Sequence, residues 1–167
     1  MIIVPDRLLL FSRAARYKRF SPIVISTFRA HGLLPSWGLA IARQESDWCP
    51  WSKNTTDAGD IARGGAWGMF QMTLQTARGL GFTGTIDELR DLQTNTGLAA
   101  QLVKELNDKW HNLADVYACY NSGKPLIRHV VGSQVRKNVA RVLAFNEQLI
   151  LENPSINEEP GRQWPQG

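Results

Sequence analysis

Pro35-Ser36-Trp37-Gly38-Leu39-Ala40-Ile41-Ala42-Arg43-Gln44-Glu45-Ser46 is the stretch on which the reading of the fold turns. Proline's fixed φ and missing N–H suit a first helical turn, so Pro35-Ser36 opens a helix that runs to about Ser46. Trp37, Ile41 and Glu45 recur at i, i+4 and i+8 and share one face. Glu45 therefore lies on an apolar face near a helix C-terminus. Desolvation and the negative end of the helix dipole both oppose its ionisation. A carboxyl held neutral near pH 7 is equipped to act as a general acid. The competing reading is a glutamate that reaches water at a frayed helix end, and on position alone that reading is the simpler one.

Outward from this helix the pattern is mainly α. Residues 7–19 set Leu8, Leu9, Leu10, Phe11, Ala14 and Ala15 among five basic residues, the pattern of a short basic amphipathic helix. It reads either as a helix packed on the core or as a surface for anionic envelope polymers or lipid, the first preferred. Ser21-Pro22 signals the start of a further helix that stops at His31-Gly32. Residues 49–68 hold Pro50, Asn54, Asp57 and Asp60 without a sustained period, so they read as a long loop, with room for a short hairpin within 52–66. Helices are expected at Met69–Arg78, Asp87–Asp91, Thr94–Trp110, Leu113–Tyr120 and Gln134–Leu151. A polar, frayed segment follows Asn153-Pro154.

With 167 residues, 43% of them hydrophobic, the chain has the size of one ordinary domain. Residues 1–30 carry six basic side chains and one acid, whereas 152–167 carry three acids and one Arg. The expected organisation is a basic helical extension at 1–20, a catalytic body at 21–151 and a flexible acidic tail at 152–167. A net charge of +4 suits a polyanionic partner such as nucleic acid, anionic lipid or cell wall. No groove-reading motif supports nucleic acid. His31, His111 and His129 are scattered, and Cys49 and Cys119 are not at metal-ligand spacing, so neither a metal nor a cofactor is expected. The two cysteines read as one bridge or as two buried thiols, the latter preferred. No stretch reaches the roughly 20 apolar residues of a membrane span, and no signal peptide is apparent.

Two further segments join Glu45. Gly68-Met69-Phe70-Gln71 sets a flexible Gly beside two large hydrophobes and an amide, and Ala118-Cys119-Tyr120-Asn121-Ser122-Gly123 ends a helix with a phenol and an amide. Each alone reads as core or as a helix cap. Taken in order with His31-Gly32-Leu33, Pro35 and Ala42-Arg43-Gln44-Glu45-Ser46, they resemble the soluble lytic transglycosylase family across roughly residues 21–149. The resemblance implies a lysozyme-like fold and cleavage of the β-1,4 bond between N-acetylmuramic acid (MurNAc) and N-acetylglucosamine (GlcNAc) in peptidoglycan. Glu45 would be acid and then base, with Tyr120 orienting it. Ser46, Gly68, Met69, Phe70, Gln71 and Asn121 would bind or floor the substrate.

The resemblance has departures. The 23-residue step from Glu45 to Gly68 exceeds the family spacing, Asn138 stands where the family usually has Tyr, and Met-Phe replaces Leu-Met. The longer loop carries Asp57 and Asp60. Either, facing Glu45 across roughly 6.5–9.5 Å, would support inverting hydrolysis as in a goose-type lysozyme. The plainer reading makes both solvated loop acids. Trp48, Trp51 and Trp67 read equally as platforms for sugar rings and as core, while Trp37 and Trp110 read as core. An inactive wall-binding module of a virion is the non-enzymatic alternative. The resemblance further implies a monomer that acts on peptidoglycan glycan strands and contacts anionic envelope polymers. Its expected setting is a bacteriophage lytic enzyme made in the host cytoplasm, then released by a holin or carried in the virion.

Overall fold

Helix α2 (Pro35–Ser46) lies at the centre of the computed structural model, which describes residues 12–55, 62, 64–126 and 132–158. Its Ser36 and Gly38 to Ala42 are buried, so the helix is covered on nearly all sides. Helix α1 (Arg13–Ala30) packs on one flank and α7 (Ser133–Glu152) on the other. Between them in sequence come three short strands, β1 (Lys53–Asn54), β2 (Ala66–Trp67) and β3 (Met72–Thr73), paired antiparallel in that order. Helices α3 (Leu74–Gly79), α4 (Ile86–Arg90), α5 (Leu92–Trp110) and α6 (Leu113–Ser122) follow. Helix α6 packs against both α5 and α7, and a 3-10 turn at Pro154–Asn157 closes the described chain. The mainly α expectation and the small hairpin region are both met, with a third strand added.

The close crossing of α1 and α2 depends on Gly38. A Cβ there would come within 2.7 Å of the Phe28 ring, which is itself fully buried and stacked near Phe70 at 5.8 Å. Capping explains several boundaries. Thr85 and Glu88 form a reciprocal capping box at the start of α4, and the Asp91, Asn112 and Thr73 side chains each accept from a backbone N–H at the starts of α5, α6 and α3.

Three expectations are corrected. Ser21-Pro22 does not begin a helix: α1 starts behind the Ser12 cap and runs through Pro22. The boundary drawn at residue 20 therefore falls inside a continuous helix. An interior proline costs about 3 kcal/mol, and here tertiary contact offsets it. Tyr17 packs its ring on Trp48 at 4.7 Å, Phe20 meets Trp51 edge-on, and Arg13 pairs with Asp47 at 2.8 Å. The segment from Met69 to Thr73 is not helical. Gln71 takes φ 47°, Met72 and Thr73 pair as a strand, and α3 begins only at Leu74. Finally, the chain after Pro154 is docked as far as Glu158. Ile156 is buried, Asn157 accepts from the Ser36 N–H and donates to its hydroxyl, and Arg29 donates to the carbonyls of Ile156 and Glu158. Leu8 to Phe11 and the tail beyond Glu158 lie outside the described residues.

Gly38→Ala is expected to destabilise the protein even though alanine favours helix by about 1 kcal/mol over glycine. Overpacking against the immobile Phe28 ring should cost about 1–3 kcal/mol and win. Urea unfolding of the variant checks the sign.

Candidate active site

Glu45 occupies the last turn of α2, half-buried, and faces a cleft of about 1070 Å³. The opposite wall is built by the ends of α5 and α6, by Asn138 of α7 and by the sheet residues Asn54, Ala66, Met72 and Thr73. This volume reaches the top of the ~300–1,000 Å³ usual for pockets that enclose a small ligand. Tyr117 donates its phenolic hydrogen to Glu45 Oε1 at 2.7 Å. Tyr117 is 1% exposed. That burial, followed by the charge of Glu45, pushes its pKa far above the ordinary 10.0. The phenol therefore keeps its proton and has it to donate to the carboxyl. One carboxyl oxygen is thereby fixed at the cleft that Glu45 lines.

The hydroxyl of Tyr120 goes elsewhere than expected. It donates to the Phe70 carbonyl at 2.7 Å, while its ring stacks on Tyr117 at 6.2 Å. Burial and then the charge of Glu45 raise its pKa well above the usual value too, so both phenols stay neutral. Residues 117 and 120 stand one helical turn apart on α6 and share a face. The motif beginning at Ala118 excluded the nearer of the two, and the i, i+3 pair of tyrosines was the signal available in the sequence.

The loop from Gly68 to Gln71 is positioned by buried polar contacts. Asn95, fully buried on α5, accepts from the Phe70 N–H at 3.0 Å and donates to the Trp67 and Leu89 carbonyls. Gly68 has φ 77°, and a Cβ there would stand 2.5 Å from the Asn95 side chain, so only glycine fits. Ser46 donates to the Met69 carbonyl at 2.7 Å and accepts from the Cys49 N–H, which ties the end of α2 to this loop. Asn95 carried no signal in the sequence reading, being one amide inside a polar helical turn.

The remaining candidates divide. Gln71 and Asn121 line the cleft, Gln71 with its side-chain amide donating to the Gly68 carbonyl. Met69 and Phe70 are fully buried in the core and do not line the cleft floor. Trp48 is also core, with its indole N–H donating to the Leu39 carbonyl. Trp67 donates to Gly64 and lies beneath Arg90 without lining the cleft. Trp51, 45% exposed, borders a separate shallow depression beside Asp87, Arg90 and Asp91. Trp110 lines the cleft. Asn138 also lines it, accepting from the Gln44 and Gln134 amides. Asp57 and Asp60 lie outside the described residues. Among the described residues Glu45 is the one carboxylate lining the cleft, and no group of three metal-ligating side chains occurs. Cys49 and Cys119 are free thiols rather than a bridge.

Just past Glu45 the backbone turns through two left-handed residues, Asp47 (φ 53°) and Trp48 (φ 59°). Arg13 grips the Asp47 carboxylate through two nitrogens, and Arg16 Nε donates to the Asp47 carbonyl at 2.9 Å. Arg43 lies over the Phe145 ring at 3.9 Å, which ties the same end of α2 to α7. The basic residues of α1 thus serve the turn behind the candidate acid.

Residues 23–142 match the family model described as Transglycosylase SLT domain. A solved structure of an inactive mutant of the lytic transglycosylase Slt from Pseudomonas aeruginosa superimposes with a TM-score of 0.66 at 19% identity. The alignment covers 87% of this chain and 26% of that one, and at this identity it speaks for the fold. No curated protein sequence matches the chain.

The Tyr117 geometry makes stability sensitive to alkali. Below the ordinary phenol pKa of 10.0 the group is protonated in folded and unfolded chains alike. Above it only the unfolded chain releases the proton, so stability falls by about 1.4 kcal/mol per pH unit for this group. Unfolding free energies followed from about pH 9 to 12 should fall more steeply in the native protein than in Tyr117→Phe. Equal slopes would mean that the phenol is not buried.

Proposed function

Because the chain belongs to the Transglycosylase SLT domain family, we propose that it cleaves the β-1,4 bond between N-acetylmuramic acid and N-acetylglucosamine in peptidoglycan as a lytic transglycosylase. The observation that carries this reading is the Tyr117–Glu45 hydrogen bond inside the cleft, at a distance of 2.7 Å. It holds the carboxyl in the same cleft that the amides Gln71 and Asn121 line.

In this reading the neutral carboxyl of Glu45 gives its proton to the glycosidic oxygen as the C1–O bond breaks. The leaving N-acetylglucosamine end departs as an alcohol. The substrate's own N-acetyl group supports the electron-poor C1, which is why no second enzyme carboxylate is required. Glu45, now a carboxylate held by Tyr117, takes the proton of the muramyl 6-hydroxyl as that oxygen bonds to C1. The product is an anhydro sugar, no water is consumed and the acid is regenerated. Gln71, Asn121 and Asn138 offer amides to N-acetyl and hydroxyl groups. Tyr120 acts indirectly, by holding the Phe70 carbonyl and with it the Gln71 turn.

The finer part of the proposal is a bacteriophage setting, with release by a holin or carriage in a virion. It is supported only by the net charge of +4, which suits an anionic envelope. Lysis on cytoplasmic expression that depends on a co-expressed holin tests it.

Mass spectrometry of muropeptides released from purified sacculi tests the chemistry. Wild type should yield anhydro ends, one water lighter than hydrolysed ends, and Glu45→Gln should lose about 10²- to 10⁴-fold in rate. Hydrated ends would transfer the chemistry to the hydrolytic reading. Tyr117→Phe keeps the acid but frees it to rotate, so kcat should fall roughly ten- to a hundredfold. Tyr120→Phe should instead act through the loop, raising KM more than it lowers kcat.

A further inference from the structure

Three charged side chains line the cleft among the described residues: Glu45, Lys109 and Lys124. With Glu45 in its acid form the wall is doubly positive. Both lysines are exposed, and neither has a carboxylate partner among the described residues, where the ion pairs are Arg13–Asp47, Arg90–Asp87 and Lys104–Asp108. Lys109 stands in the last turn of α5 with its ammonium 5.2 Å from the Trp110 ring, and Lys124 follows the left-handed Gly123 that ends α6. A lysine at a helix C-terminus complements the dipole. That accounts for one cation at each helix end. It does not account for two different helices turning theirs onto one cleft wall.

A glycan backbone of N-acetylated sugars carries no charge of its own. The carboxylates of peptidoglycan are on the peptide stem, which leaves the muramyl ring through its lactyl ether, on the sugar whose C1 is cleaved. A stem lying along a cleft that holds the scissile bond brings its carboxylates to the cleft wall. We infer that Lys109 and Lys124 form a carboxylate-binding subsite for the peptide stem, so that the protein prefers stem-bearing strands to naked glycan. The inference rests on reading this cleft as a glycan site. Asn121 and Ser122, exposed on the same wall, add amide and hydroxyl groups suited to a peptide backbone.

Binding rather than turnover separates this inference from the reaction itself. In the Glu45→Gln protein, affinities are measured for stem-bearing glycan strands and for the same strands stripped by an amidase that cuts the lactyl–peptide bond, the lactyl carboxylates this exposes being capped as methylamides. The stem-bearing strands should bind about tenfold more tightly, and the ratio should collapse towards one in Lys109→Gln/Lys124→Gln and at high salt, as expected for exposed ion pairs. Lys124→Arg, which keeps the charge, should retain most of the preference. A ratio near one in the parent protein, or an unchanged ratio in the double variant, overturns the subsite. Failure of the wild type to release anhydro products, with the preference intact, would instead count against the lytic reaction alone.

Discussion

A phenol kept neutral by burial and the carboxyl proposed as the acid share one hydrogen bond here, and several contacts of the fold converge on that pair. Tyr117 is sealed between α5 and α7, and its oxygen meets Glu45 at 2.7 Å. Because the donor is fixed by burial, the carboxyl is held in one rotamer whether protonated or charged. The acid-then-base role proposed for Glu45 would need that constancy, since a rotation between the two steps would break the geometry of the second.

Around this pair the loop that carries Gln71 is held by hydrogen bonds to its backbone as well as by the buried side chains of Met69 and Phe70. Asn95 satisfies two carbonyls and one N–H, Ser46 reaches the Met69 carbonyl, and Tyr120 reaches that of Phe70. The side chains of Met69 and Phe70 are sunk into the core, and their backbone carbonyls are the points of attachment. This division explains how a segment with φ 77° at Gly68 and φ 47° at Gln71 keeps a defined shape. Buried polar networks of this kind are directional, so they specify one conformation where a greasy contact would tolerate several.

What was legible in the sequence follows the same division. Helices with strong periodicity, such as α5 and α7, were readable because their apolar stripes are a local property. So was Glu45, which stands out as an acid on an apolar face. Pro22 misled because local chemistry marks it as a beginning, whereas the packing of Tyr17 and Phe20 on residues just over 30 positions away overrides it. Met69 and Phe70 were expected as cleft floor because the family resemblance implied it, although two adjacent hydrophobes alone read as core. Only the turn at Gly68 decides that they point inward. Tyr117, signalled only as one of an i, i+3 pair, and Asn95, not signalled at all, were missed for another reason. Their meaning is which distant backbone group or carboxylate they meet, and no spacing along the chain encodes that.

The clasps at the two ends of α2 have a mechanical consequence. Asn157 grips Ser36 at its start, while Arg13 and Arg16 grip Asp47 just past its finish. The first and last parts of the described chain therefore act as handles on opposite ends of the same rod. Tension or fusion partners attached at either side would be transmitted along α2 to the carboxyl it carries. Any load placed on either handle would then bear directly on how that carboxyl is held.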